Sequence, residues 1–232
     1  MPGIYRVLLV AVMLLLTGCG VETYAGVELA TVPVAATSTP APSPTPDPLL
    51  AELPNVMEKT FSGTTVTLNY PEEWQASERG QFFNIFDPAQ GDENTAPGVF
   101  ALIQLTRTVG LDRSDEDIAP AALLAFMRRM VEGGFAPSDS VPDPDEILAF
   151  QWTGHDAAMF YLPPEGNSTA GLSVLVMNED HARFIVFNSF MDSSLWPSIE
   201  PTILAILSTA TLDGQILGGP DLIAAYQALT TD

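Results

Sequence analysis

The sequence predicts an α+β domain, a mostly antiparallel sheet flanked by helices. Short strand-like runs, each closed by turn residues, dominate the second two-thirds of the chain. Helical spacing appears in only a few stretches, set apart from the strand runs and not alternating with them one for one. The 232 residues are 47% hydrophobic and 9% aromatic, enough apolar material to fill a core. No internal repeat is visible.

Thr65-Val66-Thr67-Leu68-Asn69-Tyr70 alternates and stops at Pro71, as a strand with one buried face does. Gln81–Phe86 follows and turns at Asp87-Pro88. Val99–Leu105 is nearly continuous in apolar residues, the pattern of a strand covered on both faces. A helix comes next. Asp117 stands as its N-cap, Pro120 falls in the first turn, and Leu123, Phe126, Met127 and Met130 form one stripe. Arg128 and Arg129 sit near its end, where the dipole favours cations, and Gly133-Gly134 closes it.

An acidic, proline-rich loop runs from Ser138 to Glu146. Leu148–Trp152 then leads through Gly154-His155-Asp156 into Ala157–Tyr161. Leu172–Met177 and Arg183–Asn188 flank Asn178-Glu179-Asp180-His181, a spacing that reads as an antiparallel hairpin. A helix is expected from near Ser198 through Leu207, with Pro201 in its first turn, the one place proline fits. Residues 220–229 suit a further short helix.

The N-terminus has a different character. Arg6 precedes the apolar run Val7–Leu16, which has the length of a signal-peptide core and is short for a membrane span of about 20 residues. The run ends in Leu16-Thr17-Gly18-Cys19, and Cys19 is the chain's one cysteine, so no intrachain disulfide and no cysteine metal site can form. This tetrad resembles the bacterial lipobox. The resemblance implies diacylglyceryl transfer to Cys19 and cleavage between Gly18 and Cys19. The domain layout expected is a lipoprotein signal peptide over 1–18, a lipidated N-terminus and stalk over 19–54, and the α+β domain over 55–232. In the stalk the alternating prolines of Thr37–Pro48 forbid helix and favour extended polyproline II. Such a segment would lift the domain off a lipid surface.

The order of elements over roughly 57–212 resembles the PsbP-like fold, an α-β-α sandwich. A first strand runs into Tyr70-Pro71 followed by Trp74, Gly154-His155-Asp156-Ala157-Ala158 turns into a middle strand, and the terminal helix closes on Ile206-Leu207-Ser208-Thr209. These landmarks are structural: Pro71 ends a strand, Trp74 plugs a core edge, Gly154 permits unusual φ. The resemblance implies a non-enzymatic accessory or binding domain. It carries no photosystem partnership, because no residue can be matched to such a contact.

Chemistry-bearing patterns are sparse. The two histidines, His155 and His181, stand in turns beside Asp156 and Asp180, and sequence neighbours point apart, so no catalytic dyad is expected from either pair. No Gly-x-Ser-x-Gly elbow, P-loop or dinucleotide-binding glycine pattern occurs. Asp112, Asp115, Glu116 and Asp117 cluster, as do Asp139, Asp143, Asp145 and Glu146. Neither has the EF-hand order, so weak calcium binding is conceivable and no metal site or cofactor is expected. Asn167-Ser168-Thr169 is a sequon, discounted because the lipobox implies a bacterial host.

The balance of 29 acidic against 8 basic residues gives a net charge of -21, which repels nucleic acid. The expectation is therefore a lipid-anchored extracytoplasmic binding or accessory module. No catalytic residue is expected. The lipid-attachment residue is Cys19; the membrane is reached through the lipid, and a protein or small molecule is the partner. The competing expectation is an envelope-associated hydrolase with a paired-carboxylate site.

Overall fold

The computed structural model describes residues 53–114, 117–133 and 141–231. Cys19, the proline-rich stalk, Asp115, Glu116 and Asp139 lie outside them.

Strand β1 (Asn55–Phe61) turns back into β2 (Thr64–Tyr70). Then come β3 (Gln75–Arg79), β4 (Phe82–Phe86) and β5 (Gly98–Leu105). A 3₁₀ turn at Thr106–Val109 leads toward helix α1 (Ile118–Glu132). Past a second 3₁₀ turn at Pro144–Glu146 lie β6 (Leu148–Trp152), β7 (His155–Leu162), β8 (Thr169–Met177) and β9 (Arg183–Asp192). The chain ends with α2 (Trp196–Ser208), the short β10 (Thr211–Leu212) and β11 (Gln215–Ile216), and α3 (Gly219–Thr230).

Seven strands form one fully antiparallel sheet in the order β3-β4-β5-β9-β8-β7-β6. Period-2 alternation sends successive side chains to opposite faces. Val99, Ala101, Ile103, Val174, Val176, Ile185 and Phe187 face one apolar layer, which α2, α3 and the first hairpin close. Leu102, Phe160, Leu175, Phe184 and Val186 face the other, which α1 closes with Leu123, Phe126 and Met127. The α+β class and the α-β-α layering expected from the sequence are present. Because both faces are covered, β8 is buried over Ala170–Met177 and reads as one apolar run.

The sequence predicts a single sheet, and the structure has two. β1-β2-β10-β11 make a second, smaller antiparallel sheet. Thr67 and Thr211 share a hydroxyl hydrogen bond of 2.5 Å across it. The hairpins that build the molecule's corners use two-residue turns with both residues at positive φ: Ser62-Gly63, Thr153-Gly154 and Asp213-Gly214. Such turns match the right-handed twist of the flanking strands.

Two further expectations are corrected. Helix α2 starts at Trp196, two residues before Ser198, so Pro197 takes the first turn and Pro201 falls inside the helix. Pro201 has no N–H to give the Pro197 carbonyl, and its exposed ring costs the core nothing. Asp117 does sit at the start of α1, but in the left-handed region at φ 53° and with no side-chain capping bond. The buried part also includes Leu53, 3% exposed, whose carbonyl accepts from Asn69 Nδ2 at 3.2 Å.

Candidate functional site

Antiparallel pairing brings the end of β5, the start of β9, the end of β8 and the β6–β7 turn to one end of the large sheet. Both histidines and three of the chain's seven arginines collect there. Two hollows open at this end.

The first lies between the N-terminus of α1 and the β6–β7 hairpin. It encloses about 400 Å³ and is lined by Asp117, Ile118, Pro120, Phe150, Gln151 and Asp156 among others. Asp156 accepts from Gln151 Nε2 on Oδ1 at 2.5 Å and pairs through Oδ2 with His181 Nε2 at 3.0 Å. His181 thus meets not its neighbour Asp180 but an aspartate 25 positions earlier. The sheet makes this pairing, because β7 and β9 lie on either side of β8. His181 Nδ1 stands 3.4 Å from the Arg113 carbonyl. His155 is placed differently. Its Nδ1 contacts the Met177 carbonyl at 3.1 Å and its Nε2 contacts Gln215 Oε1 at 3.3 Å. With Trp152 Nε1 donating to Gly218 O at 2.8 Å and Thr153 N–H to Asp221 at 2.9 Å, it seams the β6–β7 turn to the C-terminal segment.

The second hollow, about 460 Å³, is lined by Arg107, Arg113 and Arg183 with Leu105, Leu111 and Asp112 among others. Its walls are held by backbone. Leu105 is the register partner of Arg183, the Thr106 N–H donates to Ala182 O at 3.0 Å, and the Thr106 hydroxyl to His181 O at 2.5 Å. Arg183 reaches the Ser62-Gly63 turn, where a Cβ on Gly63 would stand 3.9 Å from Nη2. Arg113 and Asp180 are 3.6 Å apart and both more than half exposed. The Ala182 N–H holds the Asp180 carboxyl below the usual carboxylate range, and Asn178, Arg113 and Arg183 add to that.

The acids that suggested metal chemistry serve local structure where they are described. Asp112 Oδ1 accepts from Ser114 N–H at 3.1 Å and from its hydroxyl at 2.8 Å. Glu146 Oε2 accepts the Asp143 N–H at 2.8 Å. Among the described residues no three acids or histidines stand together as a metal group. Asn167 Nδ2 donates to Pro163 O at 2.8 Å and closes the β7–β8 loop. The arginine-lined hollow was not foreseen. Its only sequence signal is three arginines in a strongly acidic chain, and 76 residues separate Arg107 from Arg183.

No protein-family model matches the sequence, and no curated protein matches it. Among solved structures the chain is similar to the cyanobacterial PsbP of Synechocystis sp. PCC 6803, at 11% identity and a TM-score of 0.44, over 67% of this chain and 91% of that one. It is also similar to a crystal structure from Bacteroides thetaiotaomicron VPI-5482, at 14% identity and a TM-score of 0.31, over 64% of this chain and 44% of that one.

Proposed function

We propose that this chain is a lipid-anchored, extracytoplasmic accessory module that binds a partner and performs no catalysis. The observation that carries the reading is Cys19, the lone cysteine, at the end of Leu16-Thr17-Gly18-Cys19 behind an apolar run and ahead of a proline-rich stalk. Among the described residues no helix is long and apolar enough to cross a membrane. The non-catalytic part is supported by His155, whose two ring nitrogens already contact the Met177 carbonyl and Gln215.

The test is to replace Cys19 with Ala and fractionate the cells. The wild type is expected in the membrane fraction and the variant outside it. A variant that stays with the membrane ends the anchor reading. The competing hydrolase reading rests on Asp117 and Asp156, which line one hollow. Release of reducing ends from cell-wall polymer by wild type, abolished by Asp156→Asn, would favour it over the accessory module.

A further inference from the structure

We propose that the second hollow is a binding site for a phosphate group carried on a small organic molecule. Its position argues against accident. A chain of net charge -21 with seven arginines has three of them, Arg107, Arg113 and Arg183, around one opening of about 460 Å³. They come from three separate segments: the 3₁₀ turn after β5, the loop before α1, and the first residue of β9.

The chemistry follows from the guanidinium fork. Arginine presents several N–H donors in a plane and binds phosphate oxygens in pairs, where lysine offers a point charge. A second observation points to a ligand. Arg183 Nε is buried without a hydrogen-bond partner among the described residues, while Nη2 of the same guanidinium lies near the Ser62-Gly63 turn, where Ser62 lines the hollow. Buried donors left unpaired are costly, and an anion drawn against them removes that cost. The ion pair of Arg113 with Asp180 is long and exposed on both sides, so it holds Arg113 only weakly. Asp112 shares the wall and opposes an anion. Its Oδ1 is engaged by Ser114, and the three arginines outnumber Asp112 and Asp180 together.

The size and walls set the rest of the ligand. The volume falls within the range of small-molecule pockets and exceeds what a bare phosphate fills. Leu105, Leu111 and Ala182 supply an apolar side. The site is independent of the tether, since every residue named belongs to the folded domain.

The test is calorimetric titration of the full chain in neutral detergent micelles with inorganic phosphate and with adenosine monophosphate, at low salt. Both are expected to bind, the nucleotide more tightly, with affinity falling as salt is raised. The Arg107→Gln, Arg113→Gln double variant, altered only at exposed side chains, should lose about tenfold or more and keep the wild-type melting temperature. Arg183→Lys keeps the charge, loses the fork, and should also weaken binding. Phosphatidic acid mixed into the micelles competes with the nucleotide if the phosphate comes from a lipid headgroup and leaves the titration unchanged if it comes from a soluble ester. Absence of binding of both probes to wild type overturns the site, and so does equal binding by the double variant.

Discussion

Asp92, Asp112 and Asp192 show what the acidic residues do for the loops. Each accepts the backbone N–H two residues on, from Asn94, Ser114 and Ser194. That local bond stands in for a backbone turn and favours the charged form. The Asn94 N–H foremost lowers Asp92, the Ser114 N–H foremost lowers Asp112, and the Ser194 hydroxyl foremost lowers Asp192. Lowered carboxyls add stability above their ordinary value and lose it as pH falls through the lowered one. The opposite shift belongs to two tyrosines. Tyr161 and Tyr226 meet edge-on at 5.3 Å, and Trp196 packs 6.2 Å from Tyr161. Burial foremost raises both phenols above their ordinary value, and Glu200 adds to the shift of Tyr226. A raised phenol contributes stability that is whole below about pH 10 and is lost as pH rises through the folded value. Alkaline titration followed by phenolate absorbance should therefore show a late step that coincides with unfolding. Tyr226→Phe should remove part of that late step; if its titration curve matches wild type above about pH 10, the assignment is wrong.

Helix α2 carries its own test. Pro201 is exposed and removes one helical hydrogen bond. Pro201→Ala should raise stability by about 1 kcal/mol, less than the full cost of an interior proline because the unfolded chain gains freedom. Thermal or denaturant unfolding measures it, and a lower midpoint would contradict the argument. The strands divide by how they are buried. β5, β8 and β9 are covered on both faces and show as apolar runs, so they are legible without a structure. β1 is not: its pattern Asn-Val-Met-Glu-Lys-Thr-Phe is half exposed throughout, and its pairing to β2 supplies what its composition lacks. β10 and β11 are two residues each, too short to show any period. Pro201 misled for a physical reason. Proline at a helix start is the usual case, and only the packing of Trp196, fully buried, pulls the start earlier.

For the whole molecule, charge is the dominant variable. A net charge of -21 on 232 residues means self-repulsion in the compact state. Raising ionic strength from about 0.01 M to about 0.15 M shortens the screening length from about 30 Å to about 8 Å. The melting temperature should therefore rise over that range, which a salt series by calorimetry checks; a fall would mean that attractive pairs dominate. The few described ion pairs each have at least one exposed partner, Glu78 in its 2.8 Å pair with the mostly covered Lys59 among them, and give up little when screened. The same scale explains why the basic end of the sheet was invisible in the sequence. Ser62, Arg107, Arg113 and Arg183 are brought together by the β1–β2 turn, the β5–β9 register and the 3₁₀ turn, and no local pattern encodes the register that sets Arg183 beside Leu105.

The pairing of β2 with β10 also sets an order of events. Thr67 must find a partner 144 residues further along, and Leu212, Leu217, Leu222 and Tyr226 complete the layer that Val66 and Leu68 begin. A chain made from its N-terminus cannot close this sheet until Thr211 and Leu212 have been synthesised, and closing so long a loop is slow. Until then the edge of β2 that Thr211 and Leu212 cover has no strand beside it, although β1 already pairs with its other edge.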